Sequence, residues 1–122
     1  MKLKFYIFLF LLSSAVFAQS KQIETSIDTT KNKIGAEFKL TLKTTVSSKS
    51  KVVVPALKNI GPLEVIQSYP IDTVKKDGTY ELIKKYGLTQ FDSGRYVIPP
   101  VKILIDKKPH LSDPVSVEVA SV

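Results

Sequence analysis

The stretch Asp92-Ser93-Gly94-Arg95-Tyr96-Val97-Ile98 decides the fold. Its D-x-G-x-Y spacing is that of a corner that opens a strand in two-layered β-sandwiches. There the tyrosine hydroxyl reaches back to a backbone group at the preceding corner and pins the sheets together. Asp92, Gly94 and Tyr96 are therefore assigned to a structural tyrosine corner, with Tyr96 expected to be mostly buried. Two residues beyond the tyrosine, where antibody domains carry a cysteine, stands Ile98, and the chain has no cysteine. The corner predicts an architecture held by its core alone and carries no chemistry.

Outward from this corner the chain alternates like β-structure. Ile23, Thr25 and Ile27 share one parity, as do Phe38, Leu40 and Leu42, the period-2 signature of half-buried strands. Asn32-Lys33-Ile34-Gly35 reads as a turn. Val52-Val53-Val54 is stopped by Pro55, and Asn59-Ile60-Gly61-Pro62 is a second turn. Leu63 to Tyr69 forms a strand expected to bend or change sheet at Pro70, with Ile71 to Val74 continuing as an edge. Asp77-Gly78 is a strong hairpin signal, and Gly87 marks a bulge or a solvent-facing position. Pro99-Pro100 belongs at a bulge or an edge. Val101, Ile103 and Ile105 alternate again, Asp106 to Asp113 reads as a charged loop, and Val115, Val117 and Val119 form the last strand. The sum is about seven antiparallel strands, the pattern of an all-β, immunoglobulin-like sandwich. Phe38, Leu40 and Leu42 are expected to face Ile98, Val117 and Val119 across its core.

The first residues read differently. Lys2 and Lys4 precede the apolar run Phe5 to Leu12, and small residues end at Ala18 before Gln19. That is the layout of a secretory signal peptide over residues 1–18, leaving the sandwich at 19–122. The apolar run is shorter than the ~20 residues needed to cross a bilayer. Export to the periplasm or cell envelope follows as an expectation.

The formal net charge is +7, and loss of the two lysines of the leader lowers it to +5. Arg95 is the only arginine among eighteen basic residues. Nucleic-acid readers combine arginine with aromatic platforms, so nucleic acid is not an expected partner. Lysine pairs such as Lys75-Lys76, Lys84-Lys85 and Lys107-Lys108 suit solubility and the protection of sheet edges. Their scattered charge also allows a weak, diffuse attraction to anionic lipid or polysaccharide.

The segment Lys85 to Pro100, with Tyr86-Gly87-Leu88, Phe91, the corner and Pro99-Pro100, resembles the first domain of the BatD family of aerotolerance proteins. Ile27-Asp28, Phe38 to Leu42 and Gly61-Pro62-Leu63-Glu64-Val65-Ile66 are similar to that family as well. The resemblance implies an exported interaction module of a cell-envelope assembly linked to oxygen tolerance. It implies membrane partners of the von Willebrand A type. Members of that family carry further sandwich domains and a C-terminal anchor, so the chain is expected to be the N-terminal piece of such a protein or a truncated form. The family supplies no catalytic residues.

No enzyme, cofactor or small-molecule substrate is expected. His110 is the only histidine and reads as an exposed loop residue; metal sites and proton-transfer chemistry need more partners. Asp72, Asp77, Asp92, Asp106 and Asp113 fall mainly in turns, where aspartate bonds the local backbone, and no D-x-D-x-[DN]-G calcium loop is present. The alternative function is carbohydrate binding, with Tyr69, Tyr80 and Tyr86 lining a flat sheet face.

Overall fold

A computed structural model of the chain describes residues 22–121. The expected signal peptide lies outside the described residues. Twelve strands make up the regular structure: β1 (Ile23–Ile27), β2 (Lys31–Lys33), β3 (Phe38–Ser47), β4 (Val52–Val53), β5 (Asn59–Ile60), β6 (Leu63–Ser68), β7 (Asp72–Lys76), β8 (Thr79–Thr89), β9 (Gly94–Ile98), β10 (Lys102–Ile105), β11 (Lys108–Leu111) and β12 (Val115–Ala120). They form an all-β sandwich of two layers, antiparallel except where β2 runs beside β12.

The first layer has the order β1-β3-β8-β6-β5, with β7 also on β8. The β3–β8 ladder is its spine, running from Phe38 opposite Leu88 to Ser47 opposite Thr79. The second layer comprises two three-stranded pieces, β2-β12-β9 and β11-β10-β4. They are two ends of one interrupted hairpin. Ile98 pairs with Val115 on one side of the interruption and Lys102 with Leu111 on the other. Pro99 to Val101 thus spans the same length as Ser112 to Pro114, and the register passes through unshifted. Prolines on both arms lack the N–H a ladder requires. Val101 and Ser112 bridge the gap instead. The Val101 N–H donates to Ser112 Oγ at 2.7 Å, and the Ser112 N–H to the Val101 carbonyl at 2.9 Å.

The inward parity holds where it was expected. Phe38, Leu40, Leu42, Ile98, Val117 and Val119 are all buried, joined by Ile23, Leu63, Tyr86, Leu88, Val101 and Ile103. Burying a Leu, Ile, Val or Phe side chain contributes ~1.5–3 kcal/mol relative to exposing it, and this core is the source of stability in a chain without disulfides.

Three local readings are corrected, and the alternative left open at Pro70 is resolved. The number of strands exceeds seven because prolines split two of them and short pairings add others. Asp106 to Asp113 is not a charged loop: Asp106 and Lys107, at φ 50° and 68°, form a two-residue hairpin turn between β10 and β11. Asp106 tolerates that conformation because its carboxylate accepts the Lys51 N–H at 3.0 Å and the Ser50 hydroxyl at 2.8 Å. These two bonds, the Lys51 N–H first, hold its carboxyl below the usual carboxylate range. His110 accordingly lies on β11, half-buried opposite Ile103. Asn32 and Lys33 belong to β2, which runs parallel to β12, and the turn is made by Ile34 and Gly35, the latter at φ 79°, closed by the Ala36 N–H on the Lys33 carbonyl. Finally, the chain bends at Pro70 without leaving its layer, since β6 and β7 pair in succession with the same strand, β8.

Candidate functional site: tyrosine contacts and open sheet edges

The corner residues lie together at the start of β9. The Tyr96 hydroxyl donates to the Asp92 carbonyl at 2.9 Å, reaching back four residues. Gly94 has φ 148°, and a Cβ there would stand 3.5 Å from the Tyr96 hydroxyl oxygen. Tyr96 is half-buried rather than mostly buried. It borders a groove open to solvent, lined also by Lys31, Arg95, Val97 and Glu118. Lys31 and Arg95 each approach Glu118 at 3.7 Å from opposite sides of the groove.

Two other residues complete the ties that the corner was expected to make alone. Gln90 accepts the N–H groups of Phe91 and Asp92 on Oε1, at 2.9 and 3.2 Å, and donates through Nε2 to the Pro62 carbonyl. Its own carbonyl accepts the Gly35 N–H. The turns before β3 and β6 therefore converge on one glutamine. Tyr86 spans the layers. It is fully buried on β8, and its hydroxyl donates at 2.8 Å to the Pro55 carbonyl, just beyond β4. Burial pushes its phenol up to about 12. Nothing in the sequence shows that a proline carbonyl from the other layer meets Tyr86.

The three tyrosines proposed for a flat binding face occupy different environments. Tyr86 is in the core. Tyr80 is half-buried against the core from the same parity. Tyr69 lies beside Gly87 on the opposite face, its hydroxyl 2.9 Å from the Glu37 carboxylate and its ring 5.1 Å beneath the Lys39 ammonium. The bond to Glu37 is the main reason its phenol is raised. Gly87 is buried and a Cβ on it would collide with Glu37, so it is not open to solvent; it pairs with Gln67 at a register shift. The bulge falls in the neighbouring strand, between Val65 and Gln67. Lys84, which interrupts the inward parity of β8, turns its ammonium to Ser68 Oγ and the Tyr69 carbonyl, over the Tyr86 ring.

Three of the exposed apolar side chains lie on or between β6 and β7, while Val53, Phe91, Val97 and Leu111 are exposed elsewhere. The three are Ile66, 48% exposed, Ile71, 43%, and Val74, 42%. Every residue of β7 is exposed, and it pairs only with β8. The β7–β8 hairpin closes through Asp77-Gly78, with Lys76 opposite Thr79. In such a two-residue hairpin the flanking pair exchanges backbone hydrogen bonds, and bonded pairs alternate from there. Asp72, Val74 and Lys76 therefore direct their backbone groups to β8. The N–H and C=O of Thr73 and Lys75 point away, to the open edge. On the second layer, β11 is the corresponding outer strand, with Leu111 exposed.

Among the described residues no group of three or more His, Cys, Asp or Glu side chains is placed to hold a metal. No helix among them is long and apolar enough to cross a membrane. No protein-family model, no curated protein and no solved structure matches the chain.

Proposed function

We propose that the chain is a non-enzymatic protein-interaction module, exported to the cell envelope, as its resemblance to the first BatD domain implies. Its partners in that reading are von Willebrand A-type membrane proteins of an assembly linked to oxygen tolerance. The observation that supports an interaction module is the open edge of β7, where the backbone groups of Thr73 and Lys75 point outward beside the exposed Val74. Such an edge accepts an added strand through main-chain bonds without any special side chain. The carbohydrate alternative needs a flat array of exposed rings, and Tyr86 in the core cannot contribute to one.

Single cysteines test the reading cleanly, because the native chain has none. Val74→Cys and Leu111→Cys on the edges, with Thr45→Cys on the outer face of β3 as control, are crosslinked in envelope preparations. Protein adducts from an edge position, absent from the control, are expected. Retention on envelope polysaccharide without any protein adduct contradicts the proposal. Export is checked separately: the mature N-terminus should lie at Gln19 or within two residues of it, and an intact Met1 argues against it.

A further inference from the structure

The open edge of β7 is self-complementary. Its sequence Asp72-Thr73-Val74-Lys75-Lys76 has an acid at one end, a base at the other and an apolar residue midway. Asp72, Val74 and Lys76 share the face that carries Ile83, Glu81 and Thr79 on β8. We infer that β7 pairs antiparallel with β7 of a second copy about a two-fold axis through Val74, so that each Asp72 faces the Lys76 of the other chain. The inference rests on the reading of the chain as an interaction module and names the occupant of one of its edges.

Three independent features select this register. The first is the backbone. The free N–H and C=O groups belong to Thr73 and Lys75, and the two-fold pairing sets Thr73 of one copy opposite Lys75 of the other. Both of these pairs can then exchange hydrogen bonds, and the central Val74 pair becomes the closer, non-bonded type, in which side chains approach best. The second is charge. Two Asp–Lys pairs flank the central valines, and no lysine opposes a lysine. Sliding by two residues in one direction puts Lys75 against Lys75; in the other it puts Lys76 against Pro70 and Asp72 against Val74. The third is symmetry, since an isologous contact of one patch with itself closes at a dimer and leaves neither β7 edge free for further growth. The Lys75-Lys76 pair thus blocks the alternatives and permits one arrangement. The link from Lys76 to Glu81 within the chain, at 3.7 Å, survives dimerisation, leaving each ammonium between two carboxylates.

The test uses the purified protein. Sedimentation over rising concentration should show a monomer–dimer equilibrium. Asp72→Lys or Lys76→Asp alone, each replacing two attractive pairs by two repulsive ones, should weaken it about tenfold. The double exchange should restore it, an outcome that a folding defect would not produce. Val74→Cys should oxidise to a covalent dimer, while Val97→Cys, at a site 54% exposed on β9, should remain monomeric. Equal dimer yields from both cysteines, a purely monomeric protein, or a double exchange no better than the single ones overturns the inference. If Val74→Cys captures an envelope protein but never a second copy, the inference fails while the interaction-module reading stands. If the dimer forms but only polysaccharide is bound in the envelope, the reverse holds.

Discussion

Replacing Tyr86 by phenylalanine removes one oxygen from a fully buried ring and leaves the rest of the core in place. What is lost is the 2.8 Å bond to the Pro55 carbonyl, the tyrosine hydrogen bond that reaches from the first layer to the chain following β4. A neutral hydrogen bond contributes a net ~0.5–1.5 kcal/mol, and an acceptor left without water costs ~1–3 kcal/mol. Pro55 is half-buried, so its carbonyl regains solvent only in part and a loss of about 1–2 kcal/mol is expected. For a domain of this size, 1 kcal/mol lowers Tm by about 4–8 °C. The bond also carries a pH signature. The unfolded phenol ionises near pH 10 and the folded one at about 12. Between those values the unfolded chain has released a proton that the folded one retains, so stability falls as pH rises. The phenylalanine variant lacks this loss. Denaturant titrations at pH 7 and at steps from pH 10 to 12 should show the gap between the two proteins narrowing with pH. Equal midpoints at pH 7, or a gap independent of pH, would refute the inter-layer role.

The remaining predictions use the same denaturant assay. Tyr96→Phe should cost less than Tyr86→Phe, on the order of 0.5–1.5 kcal/mol, because its bond to Asp92 is local and solvent-accessible; a larger loss would make the corner the principal tie after all. Leu40→Ala should cost about 2–5 kcal/mol as a cavity at the centre of the first layer, and a loss under 1 kcal/mol would contradict the register of β3. Ser112→Ala leaves the buried Val101 N–H without its acceptor and should cost about 1–3 kcal/mol, with Ser112→Thr, which keeps the hydroxyl, recovering part of it. No change on Ser112→Ala would mean the hairpin is not bridged at its break.

The sequence carried the inward faces well, since alternation at Phe38, Leu40, Leu42, Val117 and Val119 reports burial directly. Asp77-Gly78 located its turn because glycine at φ 72° leaves few alternatives. The Asp106-Lys107 turn was hidden for the converse reason: neither residue advertises positive φ, and the bonds from Ser50 and Lys51 that stabilise it come from more than fifty residues away. Pro99 and Pro100 signalled a break, but the preservation of register across it depends on Ser112, a residue with no distinctive spacing. The candidate site divides in the same way. Asp92, Gly94 and Tyr96 were legible as a local motif. The roles of Gln90 and Tyr86 depend on which distant carbonyls reach them. The open edge of β7 was visible as a strand after Pro70, and its self-complementary charges became meaningful only once the outward backbone groups were assigned to Thr73 and Lys75.

The pairing of the β7 edge with a second copy of the chain is tested most directly at those two amides. Residue-resolved hydrogen exchange is measured on the purified protein at low and high concentration. The account predicts rapid exchange of the Thr73 and Lys75 N–H groups in dilute protein and marked protection of both at high concentration, with Val74 and Lys76 little changed. Exchange at Thr73 and Lys75 that is independent of concentration, or protection that appears instead on β11, would contradict it.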